Sequence, residues 1–501
     1  MSRDLQRDRV PSPWTLALLL CTACGPQHGP TIGNGGDAAS SGTSGTDSLS
    51  GSGTTGSFSP DIGAPQRVVR LTLLATIRGT VPGQGLGVQV EFGGDHNGDG
   101  LEDLLVGQAG GQAYVFYGGA FVAETVQPPD EPVQAGKTLR LPGYVNYASA
   151  GDFDGDGRPD VVLVAPRMDQ WDLHRLYVVH SDPGDTIVDV TDDPAKVGLV
   201  SGDATNSDIG PPKDEYYAQT LSYADVNRDG LDDLIATTYQ EIYIVLGVAR
   251  GQTPATLDTA SLGIGGKHIR GKLGAAVVGL PLDADGEAGH IAAAGETIVY
   301  ILPDDLPTGS SCYEGVGTCG PEFATGTYDG FPLAYHASVE PSLRRLAMGS
   351  SAFHPSTAVR MFPDLDGFSE QDGSPTAFAG SRPAWSPPDA SPDYWLGTAL
   401  AFVGDLDDDG IPDLAMSSEN PSTVIVALSP PDGTNSNLDE ALLAGDAAQV
   451  YGTQGDDFGW QLAAGRDVTG DGVADLVVGA PGDGDGSAPG GAVYIYGITY
   501  Q

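Results

Sequence analysis

One nine-residue pattern, present in five copies, sets the limits on what this chain can become. In the last copy, Asp467-Val-Thr-Gly-Asp-Gly-Val-Ala-Asp475, oxygen-bearing side chains stand at positions 1, 3, 5 and 9, and position 6 is a glycine where the backbone must turn sharply. Alternate oxygens in a tight loop can converge on Ca²⁺, a hard cation that takes roughly 6–8 of them. Asp467, Thr469, Asp471 and Asp475 are the expected side-chain ligands, and Val473 adds its position-7 carbonyl. The apolar run Leu476-Val-Val-Gly-Ala-Pro481 follows at once and reads as a short strand buried on both faces.

The other copies name their ligands in the same way. They are Asp95, Asn97, Asp99, Leu101 and Asp103; Asp152, Asp154, Asp156, Arg158 and Asp160; Asp225, Asn227, Asp229, Leu231 and Asp233; and Asp405, Asp407, Asp409, Ile411 and Asp413. An EF-hand would need a bidentate Glu at position 12, where these loops have Val106, Leu163, Ala236, Met416 and Val478. Ca²⁺ at about five sites is therefore expected within β-structure. It acts first as a structural brace, since crowded carboxylates repel one another without a cation.

The loop starts are separated by 57, 73, 180 and 62 residues, and the long interval has room for two more repeats. One lies at Leu273–Ile291, where Asp283, Asp285 and Gly286 survive while Pro281 and Gly289 stand at positions 1 and 9. The other lies at Ala337–Ser350, with its strand ending and no loop ligand. Within a repeat the order is strand, metal hairpin, strand, hairpin, strand, then an outer strand such as Thr138–Leu141. Four antiparallel strands repeated in this way define propeller blades. The expected fold is all-β, a seven-bladed β-propeller over 65–501. The strand Val68–Ile77 is expected to complete the last blade after Gly491–Gly497, which removes an open edge.

A formal charge of −44 excludes nucleic-acid binding, which needs clustered Lys and Arg. Residues 1–24 carry Arg3, Arg7 and Arg9, then an apolar stretch from Trp14 to Ala23, which is an export signal too short to span a membrane. Its Cys-Thr-Ala-Cys24 ending resembles a bacterial lipoprotein lipobox, although Cys21 stands where Leu is usual. That resemblance implies lipidation of Cys24 and a cell-envelope or cell-surface location, in the manner of an outer-membrane lipoprotein; ordinary secretion is the alternative. Residues 25–64, rich in Gly, Ser and Thr, form the expected disordered tether. Cys312 and Cys319 remain, and in an oxidising exported setting they are expected to pair as a local disulfide.

No catalytic grouping stands out. His174 and His180 read as surface or turn residues. Trp395 and Trp460 fall beside Phe-Gly-type positions and read as packing between blades. Trp171 and Trp385 lie in long connections, at about 166–215 and 363–394, and are the better candidates for a ligand surface. A further long connection at 303–335 holds the Cys pair.

The repeats resemble the FG-GAP repeat of integrin alpha subunits, carried by Phe458-Gly459 with Gly479-Ala480-Pro481 and in partial form by Leu86-Gly87, Ala165-Pro166 and Leu396-Gly397. The resemblance implies calcium in the hairpin between a blade's first two strands and a role in extracellular binding. No integrin-type inserted ligand-binding domain is present, so integrin ligand recognition is not carried over. The expected function is a cell-surface binding or adhesion module for a protein or glycan, with the membrane reached only through the lipid. Two alternatives are a polysaccharide-active lyase or hydrolase and a purely structural surface protein.

Overall fold

The computed structural model describes, with short gaps, residues 67–190, 197–200, 221–252 and 396–501, and between 253 and 395 little beyond short strands. The segments 1–24 and 25–64, Cys24, Cys319, the side chain of Cys312, the two degenerate loops and Trp395 lie outside the described residues. The chain separates into two units, Met1–Ile62 and Gly63–Gln501, and the second holds all the structure described.

Among the described residues this second unit is all-β apart from a short helix. Its strands form seven sheets among the described residues, each of four or five strands. The pattern is plainest in the first sheet along the chain, where Leu86–Gly94, Asp103–Gln108, Gln112–Phe116 and Gly136–Arg140 pair antiparallel in sequence order. Tyr147–Gly151, Asp160–Arg167, Gln170–Val179 and Val197–Val200 build the next sheet, so part of the span expected as a long connection at 166–215 is a hairpin. Leu221–Ala224, Val277–Leu280, Leu333–His336 and Leu396–Gly404 lead the following four sheets.

The remaining sheet joins both ends of the unit. Leu462–Arg466, Asp475–Ala480 and Ala492–Tyr500 are followed by Val69–Gly79, which pairs antiparallel along Ala492–Tyr500 from Val69 opposite Tyr500 to Arg78 opposite Ala492. The edge that Ala492–Tyr500 would otherwise present is thereby paired.

A feature absent from the sequence reading is a short strand that pairs parallel with the last strand of the preceding sheet. Thr125–Gln127, Ile187–Asp189, Gly309–Cys312 and Ser436–Asn437 do this. The last of them runs into the helix Leu438–Ala444. Asn437 caps that helix by accepting the Asp439 and Glu440 N–H groups, and Gly445 ends it in the left-handed region, at φ 87°.

The core lies between neighbouring sheets. Leu105, Val115 and Leu139 of one sheet pack with Val161, Leu163 and Val179 of the next, and Leu86, Leu104 and Val106 pack with Val477, Val493 and Ile495. This explains why the strand after each loop is an unbroken apolar run: Asp103–Gln108, Asp413–Ser418 and Asp475–Ala480 are buried along their whole length, with sheets on both faces. Each such Leu, Val or Ile contributes about 1.5–3 kcal/mol of burial.

The Phe-Gly and Gly-Ala-Pro segments meet. Gly459 N–H donates to the Gly479 carbonyl at 3.0 Å, Gly479 N–H donates to the Gln461 carbonyl at 3.0 Å, and buried Phe458 packs edge-on against Tyr494.

Candidate metal centre

Each loop connects the first strand of a sheet to the second, and one scheme of Asp-to-backbone bonds shapes all five. The position-1 carboxylate gathers the N–H groups of the turn. Asp95 accepts from Gly98 at 2.6 Å, Asp99 at 3.1 Å and Gly100 at 2.7 Å, and Asp467 accepts from Gly470, Asp471 and Gly472 at 2.6, 3.2 and 2.7 Å. Asp152, Asp225 and Asp405 accept the position-6 N–H of Gly157, Gly230 and Gly410. The position-6 glycines have φ between 84° and 87°, a region costly for other residues.

Position 5 continues the cage. Asp99, Asp156, Asp229, Asp409 and Asp471 accept the N–H of Leu101, Arg158, Leu231, Ile411 and Val473, which fixes the position-7 peptides. At position 3, Asn97, Asp154, Asn227 and Asp407 each accept the position-5 N–H through Oδ1. Thr469 departs from this arrangement: it turns toward Asp475, to whose Oδ2 its N–H donates at 2.9 Å.

Position 9 has a second role that spacing alone does not reveal. Each of Asp103, Asp160, Asp233, Asp413 and Asp475 is buried at the mouth of its strand. In four of them one oxygen accepts an N–H from the loop and the other accepts an N–H two residues beyond the sheet's third strand. The partners are His96 and Gly118, Asp154 and Ser181, Val226 and Gly247, and Leu406 and Ser429. Asp475 instead accepts Val468 and Thr469 through Oδ2. Burial, above all else, pushes Asp103 up to about 6 and Asp233 and Asp413 up to about 7; two backbone N–H bonds oppose it in each case.

The donor set fits a hard cation. Asp152, Asp154 and Asp156 each present a carboxylate oxygen within 4.8 Å of the others, as do Asp405, Asp407 and Asp413. Asp152 Oδ1 and Asp154 Oδ2 are buried acceptors left without a hydrogen bond, and a cation would satisfy them. The other loops have Asn97, Asn227 and Thr469 at position 3, neutral oxygens that suit the same ion.

The second loop differs from the rest. His180, expected as a surface or turn residue, is 9% exposed, with Nδ1 3.1 Å from Asp154 Oδ2 and 3.4 Å from Asp160 Oδ2. Its place one residue past a buried strand is what draws it inward, and single-residue scatter along the sequence gave no sign of this. Arg250 reaches the same loop from the neighbouring sheet, with Nη1 3.2 Å from Asp156 and Nη2 2.9 Å from Asp182.

The tryptophan expectations are partly reversed. Trp385 is fully buried in the strand Arg382–Ser386, packed with Leu396, Leu400 and Leu438, and offers no ligand surface. Trp460 is 45% exposed, because Gly459 turns the chain just before it. Trp171 lies in the strand Gln170–Val179. The sequence pattern gives no sign of Glu91, a half-buried residue whose enclosed carboxyl accepts the Ser149 hydroxyl at 2.9 Å and is pushed by burial up to about 8.

Comparison with known proteins agrees with the repeat assignment. Residues 458–496 match the FG-GAP repeat and residues 95–163 the FG-GAP-like repeat, so the chain carries FG-GAP repeats. It is weakly homologous to integrin alpha. It is 30% identical over 124 residues to integrin alpha pat-2 of Caenorhabditis briggsae, covering 24% of this chain and 9% of that protein. With integrin alpha pat-2 of Caenorhabditis elegans it shares 32% over 165 residues, covering 30% and 11%. The chain thus spans about a tenth of the length of these relatives. Among solved structures, the crystal structure of BBS1N in complex with ARL6DN, soaked with lead, aligns at a TM-score of 0.44 and 12% identity over 86% of this chain and 97% of that one. Among the described residues no helix is long and apolar enough to cross a membrane.

Proposed function

We propose that this chain is an exported, lipid-anchored, calcium-binding seven-bladed β-propeller that acts as a cell-surface binding or adhesion module for a protein or glycan. The observation that carries the calcium reading is the shared Asp-to-backbone cage, built five times at the same place in its sheet, with acceptors left over for a cation. When bound, the ion would neutralise carboxylates that burial and mutual repulsion otherwise hold at unfavourable charge. The protein groups that would hold it are the side chains at positions 1, 3, 5 and 9 and the position-7 carbonyls.

The propeller reading is supported by the order of contacts between the leading strands. Leu86–Gly94 touches Tyr147–Gly151, and the succession continues through Leu221–Ala224, Val277–Leu280, Leu333–His336, Leu396–Gly404 and Leu462–Arg466, which touches Leu86–Gly94 again. Val69–Gly79 would close the ring as the outer strand of the last blade. Rigid blades braced by calcium suit a display surface, and the integrin alpha relatives make adhesion the nearest functional model.

Calorimetric titration of the chelator-treated protein should find about five calcium sites, and removal of calcium should lower the melting temperature. An unchanged melting curve in chelator would overturn the calcium reading. Screening on glycan and protein arrays, with and without chelator, tests the binding role; turnover of acidic polysaccharides without array binding would replace it with the enzyme reading. Mass spectrometry of the mature amino terminus tests the anchor, which an unmodified terminus downstream of Cys24 would refute.

A further inference from the structure

We propose that the second loop takes a nitrogen-accepting divalent ion, Zn²⁺ or a metal of similar preference, through Asp154, Asp160 and His180, in place of the Ca²⁺ proposed for the other four loops. The inference rests on the reading of these loops as cation sites and departs from it in the identity of one ion.

Structural equivalence is the first argument. His180 is the residue immediately after its sheet's third strand, and the next residue, Ser181, donates its N–H to Asp160 at 3.0 Å. The same two-residue step recurs at Gly118, Gly247 and Ser429, which donate to Asp103, Asp233 and Asp413. The residues that correspond to His180 are therefore Tyr117, Leu246 and Leu428, none of which offers a nitrogen ligand from its side chain. The second loop alone among these four brings an imidazole to its position-3 and position-9 carboxylates.

Geometry is the second. The side chain of Asp154 is fully buried and that of His180 is 9% exposed. Neither Asp154 Oδ2 nor His180 Nδ1 makes an aligned hydrogen bond, although they stand 3.1 Å apart. Nδ1 lies between two carboxylate oxygens, at 3.1 Å and 3.4 Å, and the three candidate ligand atoms lie within 4.8 Å of one another. Two ligands about 2.0–2.1 Å from one Zn²⁺, at roughly 90–110° to each other, are separated by about 2.9–3.4 Å. A common ion explains both the spacing and the missing alignment.

Ligand preference is the third. Carboxylate and carbonyl oxygens suit Ca²⁺, whereas imidazole favours Zn²⁺ and related ions, so one nitrogen shifts selectivity. Among the described residues Arg250 brings an opposing charge, with Nε 3.9 Å from Asp154 Oδ2. It is 38% exposed and is shared with Asp156 and Asp182, so the pocket still lacks positive charge.

The test uses the mature full-length protein, stripped with chelator, saturated with Ca²⁺ and then titrated with Zn²⁺. One equivalent of Zn²⁺ should bind despite the Ca²⁺. His180→Gln should weaken it by at least the roughly 10–100-fold that loss of a mere outer-shell partner costs a metal site. Asp467→Asn should remove one Ca²⁺ and leave Zn²⁺ untouched. If Ca²⁺ fills all five loops and excludes Zn²⁺, or if His180→Gln binds Zn²⁺ as the parent does, this inference fails while the calcium reading stands. If Ca²⁺ binds nowhere and one Zn²⁺ binds through His180, the inference stands and the calcium reading falls. Zinc-edge anomalous diffraction from the unaltered protein needs no variant: a peak among Asp154, Asp160 and His180 supports the assignment, and its absence there overturns it.

Discussion

Replacing Asp413 with Asn should stabilise the protein or leave it unchanged in chelator and destabilise it in calcium. Asp413 is 1% exposed, and its two oxygens accept the N–H groups of Leu406 at 2.8 Å and Ser429 at 2.7 Å. Asparagine keeps one acceptor and turns an amide N–H₂ toward the other backbone N–H, which leaves a buried donor unpaired at a cost of about 1–3 kcal/mol. Against this stands the charge. Burial first, then Asp407 and Asp405, push Asp413 from 3.8 up to about 7. A carboxyl whose pKa rises on folding contributes stability that is present below its unfolded value and lost as pH rises through the folded one, here from about 4 to about 7. Near pH 8 the ion-free fold therefore carries a penalty of roughly 4 kcal/mol, about three units at 1.36 each. Asparagine removes that penalty, so its net effect in chelator runs from neutral to about 3 kcal/mol stabilising. Calcium would cancel the penalty by neutralising the carboxylate, and the variant then loses both the hydrogen bond and the ligand. At a hundredfold excess of calcium over Kd the second loss adds about 2.7 kcal/mol, for a destabilisation of roughly 4–6 kcal/mol. Urea unfolding of both proteins near pH 8, in chelator and in calcium, measures the four free energies. Equal destabilisation in both conditions would refute the reasoning.

Three further perturbations probe the frame. Gly459→Ala places a methyl 2.9 Å from Ser417 Cβ and 3.1 Å from Val424 Cγ2, at φ 89°. It should cost about 2–4 kcal/mol, and a thermal melt that moves by less than the equivalent of about 1 kcal/mol would show that the turn relaxes freely. Glu91 is pushed up to about 8 by burial, so its contribution to stability is lost as pH rises from about 4.5 through 8. Glu91→Gln should flatten that decline and be the more stable protein above pH 8, by at most a few kcal/mol because part of the residue is exposed; an unchanged pH slope counts against it. Deletion of residues 67–79 uncovers the edge of Ala492–Tyr500 and should produce an aggregating or poorly cooperative protein. A monomer with the parent's melting curve would show that the pairing is dispensable.

Much of this was legible in the sequence because its signals are local. A glycine at position 6 and carboxylates at positions 1 and 5 shape a loop through bonds within five residues, so the spacing around Asp467 specifies the turn. The apolar run from Leu476 to Ala480 specifies a strand covered on both faces for the same reason. The pairing of Val69–Gly79 with Ala492–Tyr500 could be anticipated only because a repeated unit lacked its outer strand.

What the tertiary structure alone decided involves residues far apart in sequence. The second oxygen of Asp413 is taken by Ser429, the neighbours of Asp154 are His180 and Arg250, and Trp385 is enclosed by Leu396, Leu400 and Leu438. In each case the deciding interaction crosses between strands or between sheets, and no short-range pattern records it. The sequence by itself determined where the loops are and that oxygen lines them. Only the folded chain decided which additional groups face each loop, because burial and charge depend on what the neighbouring strand brings alongside.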